Sequence, residues 1–341
     1  MLAWVLIKPG HMEMREVERP MAGPGEVVLK VEAALTCGTD IKAFRRGHPK
    51  MPMPTLFGHE FSGTVSEVGS GVNRFKVGDQ VMSVHSAPCN TCFYCKKGRQ
   101  NLCDTIMDTK VLGAYAEYIR LPTHIVEQNA FIKPSNISFS EATMLEPLAC
   151  VVYGLEQYRL SLDDTVAVLG AGPIGLLQVA ALKASGVGKV ILAGRHKVRL
   201  DAGSAVGADV IIDVDRTDIK KPLMDETEGR GADLVIECTG RPEIWESTLS
   251  MVRKGGNVLL FGGCPEGSSA CFDTKRLHYD EITLKGVFHF TPDAVKKAYD
   301  ILASGKINVK PLITAEMPLR DLPKAFELLM KGEGIKYALM P

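Results

Sequence analysis

Two hydrophobic patterns divide the chain at about residue 150. Before that point, short apolar runs alternate with glycine- and proline-rich turns, which is typical of antiparallel β structure. The strands predicted there are residues 3–7, 27–31, 61–68 and 80–84. After it, apolar runs rich in β-branched residues alternate with longer helical segments, as in a doubly wound parallel sheet. The first part therefore predicts a small antiparallel barrel, and the second part predicts an α/β domain.

The second part contains six predicted strands, at residues 165–169, 189–193, 210–212, 233–238, 257–261 and 282–287. Helices are predicted between them at 174–184, 199–206, 220–228 and 242–252. Two amphipathic helices at 292–304 and 322–331 and a last strand at 336–340 complete the chain. We therefore expect a parallel-sheet domain at 150–289. It is inserted into a barrel domain that comprises 1–149, with a loop at 88–104, and 290–341.

The first predicted strand of the α/β part runs directly into a G-x-G-x-x-G motif. Gly170 allows the tight turn, Gly172 lets the backbone approach a pyrophosphate, and Gly175 lets the helix pack on the strand. The N-terminus of the following helix, with Pro173 and Ile174, offers N–H groups to phosphates. Because the strand and the helix supply the required context, the motif predicts a dinucleotide site.

Length and charge narrow the class of protein. The 341 residues, 45% of them hydrophobic, suggest about two domains. Lys plus Arg and Asp plus Glu are equal at 40 each, so no charge excess favours a nucleic-acid or membrane partner. The apolar run after Met1 is too short for a signal peptide or a membrane span. Nine cysteines without an export signal therefore favour metal ligands or free thiols in the reducing cytoplasm.

Four cysteines stand in C-x2-C-x2-C-x7-C spacing, at Cys89, Cys92, Cys95 and Cys103. Such a set can surround one tetrahedral Zn²⁺. Four protein ligands leave no open coordination position, so a zinc site here would be structural. An iron–sulfur cluster and four free buried thiols are the alternatives.

Four further residues have side chains suited to a second metal, and they are Cys37, His59, Glu60 and Glu146. Three protein ligands plus water make a catalytic zinc site. Each residue also has a purely structural interpretation, as a core cysteine, a turn-capping histidine or a carboxylate that starts a helix. Turn formation explains Thr39 and Asp40 equally well. The residues alone leave both interpretations open.

The motifs together resemble those of the zinc-dependent medium-chain alcohol dehydrogenases, in order and spacing, along nearly the whole chain. The residues that carry this resemblance are Cys37-Gly-Thr-Asp40, Gly58-His59-Glu60, the four clustered cysteines, Glu146-Pro147 and the three glycines. The chain is most similar to the polyol, threonine and secondary-alcohol dehydrogenase branch. The resemblance implies a GroES-like barrel, an inserted Rossmann domain, two zinc ions per chain and a homo-oligomer, either a tetramer or a dimer.

The resemblance also assigns roles. It implies Cys37 and His59 as catalytic zinc ligands, with Glu60 or Glu146 as the third. It implies that Thr39 contacts the substrate oxygen and that Asp40 supports His59. The implied activity is hydride transfer between a secondary alcohol, polyol-like or amino alcohol, and a nicotinamide cofactor, with Zn²⁺ as Lewis acid. Predicted cofactor contacts beyond the glycine motif are Cys238, Thr239, Phe261, Gly262 and Lys336.

Three positions depart from the family pattern. Lys42 stands where many relatives have a histidine at the outer end of a proton relay, so the exit of the relay is open. Ala43 replaces an aromatic residue that is frequent in polyol enzymes, which suggests a different or roomier pocket. Gly38 replaces an arginine that contacts the pyrophosphate in some relatives.

The cofactor preference is predicted from the end of the second strand of the α/β part. An NAD site usually has an acidic residue there, which binds the ribose 2′-OH. This chain instead has Gly194, Arg195 and His196, with Arg199 nearby. Cations at these positions can bind a 2′-phosphate by charge-assisted hydrogen bonds, so NADP(H) is expected. The alternative is that they are solvated surface charges.

Three other functions were weighed against the dehydrogenase. A zinc-free enone or quinone reductase of the same superfamily does not need Cys37, His59 and the four clustered cysteines. A nucleic-acid binder built on the cysteine cluster would show a basic stripe, which is absent. A non-enzymatic zinc protein does not need the complete ligand set. The sequence therefore favours an enzyme acting on a small alcohol or ketone.

Overall fold

The computed structural model describes all 341 residues and divides into two compact units. The terminal unit comprises Met1–Cys150, His289–Gly305 and Ile313–Pro341, and the central unit comprises Val151–Phe288 and Lys306–Leu312. The central unit is therefore inserted in the sequence of the terminal unit. This division differs from the predicted domain limits mainly at the short segment 306–312.

Sixteen strands form three sheets. In chain order they are β1 Leu2–Lys8, β2 His11–Glu16, β3 Val27–Leu35, β4 Thr55–Leu56, β5 Phe61–Val68, β6 Gln80–Ser83, β7 Tyr118–Leu121, β8 Ala130–Ile132, β9 Thr165–Leu169, β10 Lys189–Gly194, β11 Val210–Asp213, β12 Ala232–Glu237, β13 Val252–Leu260, β14 Thr283–Gly286, β15 Ile313–Pro318 and β16 Lys336–Met340. Twelve α-helices accompany them: α1 Gly38–Arg46, α2 Phe93–Lys96, α3 Thr123–Gln128, α4 Phe139–Ala142, α5 Leu145–Leu155, α6 Pro173–Ala184, α7 Lys197–Ala205, α8 Lys220–Glu226, α9 Pro242–Ser247, α10 Thr274–Tyr279, α11 Pro292–Ala303 and α12 Leu322–Met330.

The terminal unit contains two mostly antiparallel sheets. One has the order β2-β1-β4, and the other has the order β15-β16-β3-β5-β6-β8, with β7 beside β3. Phe57, Tyr115 and Phe326 are buried together in edge-to-face contacts in the core of this unit. Because β3 is antiparallel to both β5 and β16, the end of β3 meets the starts of those two strands. The candidate metal ligands lie at this junction.

The central unit contains one six-stranded parallel sheet with the order β11-β10-β9-β12-β13-β14. Helices connect successive strands, as expected for buried, β-branched strands that must be covered on both faces. Since β9 lies in the middle, the strand order reverses there, and the carboxyl ends of β9, β10 and β12 come together. Ligands bind at such a switch point in open α/β sheets. The predicted fold class, an antiparallel unit with an inserted doubly wound parallel sheet, is confirmed.

One element was missed and another was given wrong bounds. Residues 38–46, for which no helix was predicted, form α1. The helix predicted at 242–252 ends at Ser247, and β13 begins at Val252 in spite of Gly255 and Gly256. Pairing with β12 explains the second error, because tertiary hydrogen bonds outweigh the weak strand preference of glycine.

Candidate active site

Cys37 lies at the N-terminus of α1, directly after β3. It is the N-cap residue, and its Sγ accepts a hydrogen bond of 3.4 Å from Thr39 N. Extended backbone at Cys37 therefore ends the strand and starts the helix in one step. The position holds the sulphur at a helix end whose N–H groups and dipole favour negative charge.

His59 is buried and oriented by Asp40. Its Nδ1 lies 3.1 Å from Asp40 Oδ1, and Tyr115 donates to Asp40 Oδ2 over 2.7 Å. Burial alone would lower the pKa of His59, but the Asp40 and Cys37 charges outweigh burial and raise that pKa well above its ordinary value. A carboxylate on one ring nitrogen is the usual way in which a protein aims the other nitrogen at a metal.

Glu60 is buried beside a lysine from the far end of the chain. Its Oε2 accepts a hydrogen bond from Lys336 Nζ, which also donates to Thr36 O over 2.8 Å. Both side chains of the pair are only 1% exposed. The resemblance implied a cofactor phosphate contact for Lys336. The structure places its ammonium in the terminal unit against Glu60, and the phosphate contact stays a prediction.

Glu146, the second residue of α5, lies near this group but outside its tightest part. Its Oε1 is 3.5 Å from His85 Nδ1 and accepts a weak bond from Cys150 Sγ at 3.8 Å. Burial raises the pKa of Glu146 to about 7. The sequence analysis left Glu60 and Glu146 as alternatives, and the structure brings only Glu60 close to both Cys37 and His59.

The ligand atoms of Cys37, His59 and Glu60 all lie within 4.8 Å of one another. Thiolate, imidazole and carboxylate are the donors that catalytic zinc sites combine. The set therefore fits one Zn²⁺ by number, chemistry and spacing. The hydroxyl of Thr39 has no contact that assigns it a role, and its predicted contact with the substrate stays a prediction. Ala43 packs into the hydrophobic core, and its expected effect on the pocket stays a prediction.

Two histidines lie beside this site: His85, which the sequence analysis missed, and His289, which belongs to the Phe288-His289-Phe290 turn that we expect to line the substrate pocket. The His85 ring lies 5.1 Å from the ring of His59 and 5.3 Å from that of His289. His289 Nε2 is 2.7 Å from Ser86 Oγ, and its backbone is left-handed with φ 63°. About 200 residues separate the two histidines, so no local pattern links them. The left-handed backbone of the half-buried His289 is a feature found at functional sites, and only coordinates reveal it.

The four clustered cysteines form a second candidate metal site. Their Sγ atoms lie within 4.8 Å of one another around α2 and the short turn that follows. Hydrogen bonds from Thr91 and from the backbone N of Cys92 lower the pKa of Cys89 to about 5, whereas burial raises that of Cys95 to about 12. Backbone N–H groups that already point at sulphur favour thiolates. The set fits one tetrahedral metal ion and leaves no position open.

The glycine motif in the central unit lines a cavity of about 490 Å³. Gly170 has φ 112°, and Gly172 is the N-cap of α6, with Pro173 in its first turn. A Cβ at Gly175 would lie 1.8 Å from Gly170 O, so only glycine allows this packing of helix on strand. The cavity is lined by eight predicted cofactor residues: Gly170, Gly172, Gly194, Arg195, His196, Arg199, Cys238 and Thr239.

The basic end of this cavity lies between β10 and the loop after β11. Arg195 Nε forms a half-exposed ion pair of 3.0 Å with Asp215 Oδ1. His196 has φ 67° and starts α7. The sequence analysis did not anticipate Asp215, or that Thr217 and Asp218 line the cavity. Position 194 accepts no side chain, because a Cβ there would lie 2.3 Å from Ala171 Cβ.

The loop after β12 forms another wall of the cavity, and Glu237 lies beneath it. Glu237 is fully buried. Burial raises the pKa of Glu237, although hydrogen bonds from Thr239, Gly240 and Trp245 oppose the shift. Phe261 and Gly262 follow the neighbouring strand, and their backbone N–H groups donate to Glu237 O. Neither residue lines the cavity, and their predicted cofactor contacts stay predictions.

Comparison with known families gives two matches along the chain. Residues 23–130 match the alcohol dehydrogenase GroES-like domain, and residues 173–304 match the zinc-binding dehydrogenase domain. No helix of the structure has the length and apolar character needed to cross a membrane.

Relatives cover the whole chain. A sorbitol dehydrogenase from Bacillus subtilis is 32% identical over 100% of this chain and 97% of its own length. An L-threonine 3-dehydrogenase from Pyrococcus furiosus is 34% identical over 100% of this chain and 98% of its own length. The fold is similar to that of a Sinorhizobium meliloti protein assigned as a zinc-binding dehydrogenase and solved with NADP. That similarity has a TM-score of 0.90 and 29% identity, and it covers 100% of this chain and 99% of that one.

Proposed function

Because the chain belongs to the zinc-dependent medium-chain alcohol dehydrogenase family, we propose that it oxidises a polyol-like secondary alcohol or an amino alcohol with NADP⁺ and reduces the matching ketone with NADPH. The observation that carries this proposal is the convergence of Cys37, His59 and Glu60 within 4.8 Å. The named relatives act on sorbitol and L-threonine, and both substrates carry a secondary hydroxyl group.

We propose a separate role for each side chain of the candidate site in the terminal unit. Zn²⁺, when bound, supplies a Lewis acid that favours loss of the alcohol proton at neutral pH. Cys37, His59 and Glu60 hold that ion, and Asp40 fixes the ring of His59. Thr39 is the proposed hydrogen-bond partner of the substrate oxygen. Glu146, held beside His85 and Cys150, is the proposed alternative ligand.

Lys336 supports the choice of Glu60 as the third ligand. Its ammonium occupies Oε2 of Glu60, which leaves Oε1 for the metal. A metal-binding carboxylate is usually hydrogen-bonded as well, so that a protein group holds one oxygen while the other binds the metal. We propose that the cysteine cluster holds a second, structural zinc ion.

NADP(H) is the proposed cofactor because Arg195, His196 and Arg199 line the cavity where NAD enzymes place an acid. The Arg195–Asp215 pair has to open when a 2′-phosphate takes the guanidinium. Half-exposed pairs of this kind contribute little, typically below about 1 kcal/mol, so this exchange is feasible. A charge-assisted contact with phosphate is worth about 1.5–3 kcal/mol.

Metal analysis and kinetics test this proposal. Purified protein should contain two zinc ions per chain and oxidise secondary alcohols in a screen of polyols, amino alcohols and simple alcohols with both cofactors. Arg195→Ala should lower kcat/KM for NADP(H) about tenfold and leave NAD(H) nearly unchanged, while Arg195→Lys keeps part of the preference. Activity without zinc, or a wild type that prefers NAD(H), contradicts the corresponding part of the proposal.

We also propose that the protein is a cytoplasmic homo-oligomer, a dimer or a tetramer. Strand β14 forms one edge of the parallel sheet, and an edge strand presents unpaired backbone groups to a second chain. Light scattering coupled to size exclusion tests this, and a monomer at micromolar concentration would contradict it.

A further inference from the structure

Glu237 is a buried carboxylate whose hydrogen bonds all come from neutral donors. It ends β12 and is 0% exposed. Oε1 accepts from Thr239 N over 2.6 Å, from Thr239 Oγ1 and from Gly240 N, and Oε2 accepts from Trp245 Nε1 over 2.9 Å and again from Gly240 N. No lysine or arginine pairs with this carboxylate. Leaving an anion buried without a cation is expensive unless such donors surround it.

One of the donor residues, Thr239, lines the cofactor cavity, and the other two, Gly240 and Trp245, are next in sequence to residues that line it. Thr239 lines that cavity, as do Cys238 and Arg241 on either side of the same turn, and Gly240 has φ 66°. Trp245 lies in α9, between the cavity residues Ile244 and Ser247. Its indole also donates to Gly262 O over 3.1 Å. The carboxylate therefore joins the loop after β12 to α9, and the Trp245 indole links both to Gly262 in the loop after β13.

We propose that Glu237 is a positioning residue for the cofactor. It holds residues 238–241 and α9 in the shape that the cavity requires, and it acts through those residues rather than by touching the cofactor. The inference rests on the proposed function in so far as the cavity binds a nicotinamide dinucleotide. It predicts an effect on both NADP(H) and NAD(H), since the wall is common to both cofactors and remote from the basic end at Arg195.

An ionised carboxylate suits this position because it is only an acceptor. Glutamine has nearly the same shape, but one of its two polar atoms is an NH₂ donor. If the NH₂ takes the position of Oε1, it faces the N–H groups of Thr239 and Gly240. If the NH₂ takes the position of Oε2, it faces the indole N–H of Trp245. Either orientation sets donor against donor in a buried place, so Glu237→Gln should loosen the loop without creating a cavity.

Cofactor binding by the metal-loaded protein tests the proposal. NADPH and NADH are titrated by fluorescence, and zinc content and melting temperature are recorded for each variant. Glu237→Gln should raise Kd for both cofactors by about tenfold or more, with unchanged zinc content. Trp245→Phe removes one donor while keeping the carboxylate, so it should raise both values only about threefold.

The double variant supplies the readout that a general loss of stability would not give. In Glu237→Gln with Trp245→Phe, the amide NH₂ at the Oε2 position no longer faces an indole donor, and Gly240 N, which lies 3.2 Å from both carboxylate oxygens in the wild type, can donate to the amide oxygen alone. Trp245→Phe should therefore tighten cofactor binding in the glutamine background, although it weakens binding in the wild type. Equal weakening in both backgrounds, or wild-type affinity in Glu237→Gln, would overturn the proposal. Failure of the proposed function looks different, because the wild type would then bind neither cofactor.

Discussion

The terminal unit contains two clusters of metal-type side chains that are built in opposite ways. Cys89, Cys92, Cys95 and Cys103 come from one loop of fifteen residues and use a single donor type. Cys37, His59 and Glu60 come from the ends of different strands, mix three donor types and are surrounded by the charged partners Asp40 and Lys336. The first site is closed and local, and the second is open and depends on the whole fold.

Because of this difference, the two clusters are stabilised by different interactions. The cysteine loop has little core of its own beyond Ile106 and its flanking thiols, so a metal would contribute directly to its folding. The site formed by Cys37, His59 and Glu60 is anchored by buried hydrogen bonds and ion pairs among protein groups. We therefore expect metal loss to affect stability at the first site and chemistry at the second.

The largest expected effect is on activity. Cys37→Ala or His59→Ala should lower kcat/KM by at least about a thousandfold, equivalent to roughly 4 kcal/mol. The reason is that only two of the three proposed ligands then remain to hold the metal. Elemental analysis should find one zinc ion lost and the other retained, with a near-normal circular dichroism spectrum. Cys271→Ser, exposed and outside both clusters, is the control, and an active His59→Ala would remove the distinction between the sites.

Lys336→Met should produce the next largest effect, and it should depend on the metal. Without the ammonium, Glu60 is a buried charge without compensation, and breaking such a pair costs about 3–5 kcal/mol. A bound divalent metal supplies a replacement charge, so the loss should be smaller in metal-loaded protein. Urea unfolding of both forms measures this, with Lys336→Arg as the charge-conserving control. Equal destabilisation of the two forms would argue against Glu60 as a ligand.

Cys92→Ser should lower stability while sparing turnover. If free zinc stands at a hundred times its Kd, the lost metal site removes about 3 kcal/mol of stabilisation. The melting temperature should fall by several degrees, with kcat per folded molecule nearly unchanged. Thermal unfolding and steady-state kinetics on the same preparation check this. A fall in kcat at normal stability would mean that the closed site takes part in the chemistry.

The smallest effect is on how the free energy of unfolding depends on pH through His289, which lies near the site formed by Cys37, His59 and Glu60. Burial lowers the pKa of His289 to about 3, so between pH 6.5 and 3 the unfolded chain binds a proton that the folded chain does not. Stability is therefore complete above about pH 6.5 and is lost as the pH falls, by about 2 kcal/mol at pH 5. His289→Asn, which tolerates the left-handed backbone, should show a correspondingly shallower loss between pH 7 and 5 in denaturant titrations. An unchanged slope would contradict the burial of this imidazole.

Sequence reasoning predicted the fold class and several elements with correct bounds, including Phe61–Val68, Thr165–Leu169 and Lys336–Met340. Phe61–Val68 alternates in polarity and the other two segments are short and mostly apolar, and both patterns can be read without distant partners. Helix α1 was missed because it begins with glycine and is capped by a cysteine, which is not a usual cap. Its start depends on the end of β3 rather than on local preference.

The sequence predicted those parts of the candidate sites whose residues stand at a characteristic spacing within a short segment. The cysteine cluster and the glycine motif lie within short segments, and the structure gathers each of them. The roles of His85, His289 and Lys336 depend on contacts across about 200 to 300 residues. Charge pairing between such positions leaves no periodicity, so the place of Lys336 beside Glu60 could not be foreseen.

The position of Lys336 on the last strand has a consequence for synthesis on the ribosome. Strand β16 pairs with β3, and Lys336 joins Thr36 across 300 residues of chain. Since chains emerge from the N-terminus and domains fold as units, all six strands of the central unit leave the exit tunnel before this lysine is made. Until then, the nascent terminal unit has Glu60 without its counter-charge and one edge of β3 without β16. The candidate site of Cys37, His59 and Glu60 is therefore among the last parts of the molecule to be completed, whereas all four residues of the cysteine cluster are made while most of the chain is still to be translated.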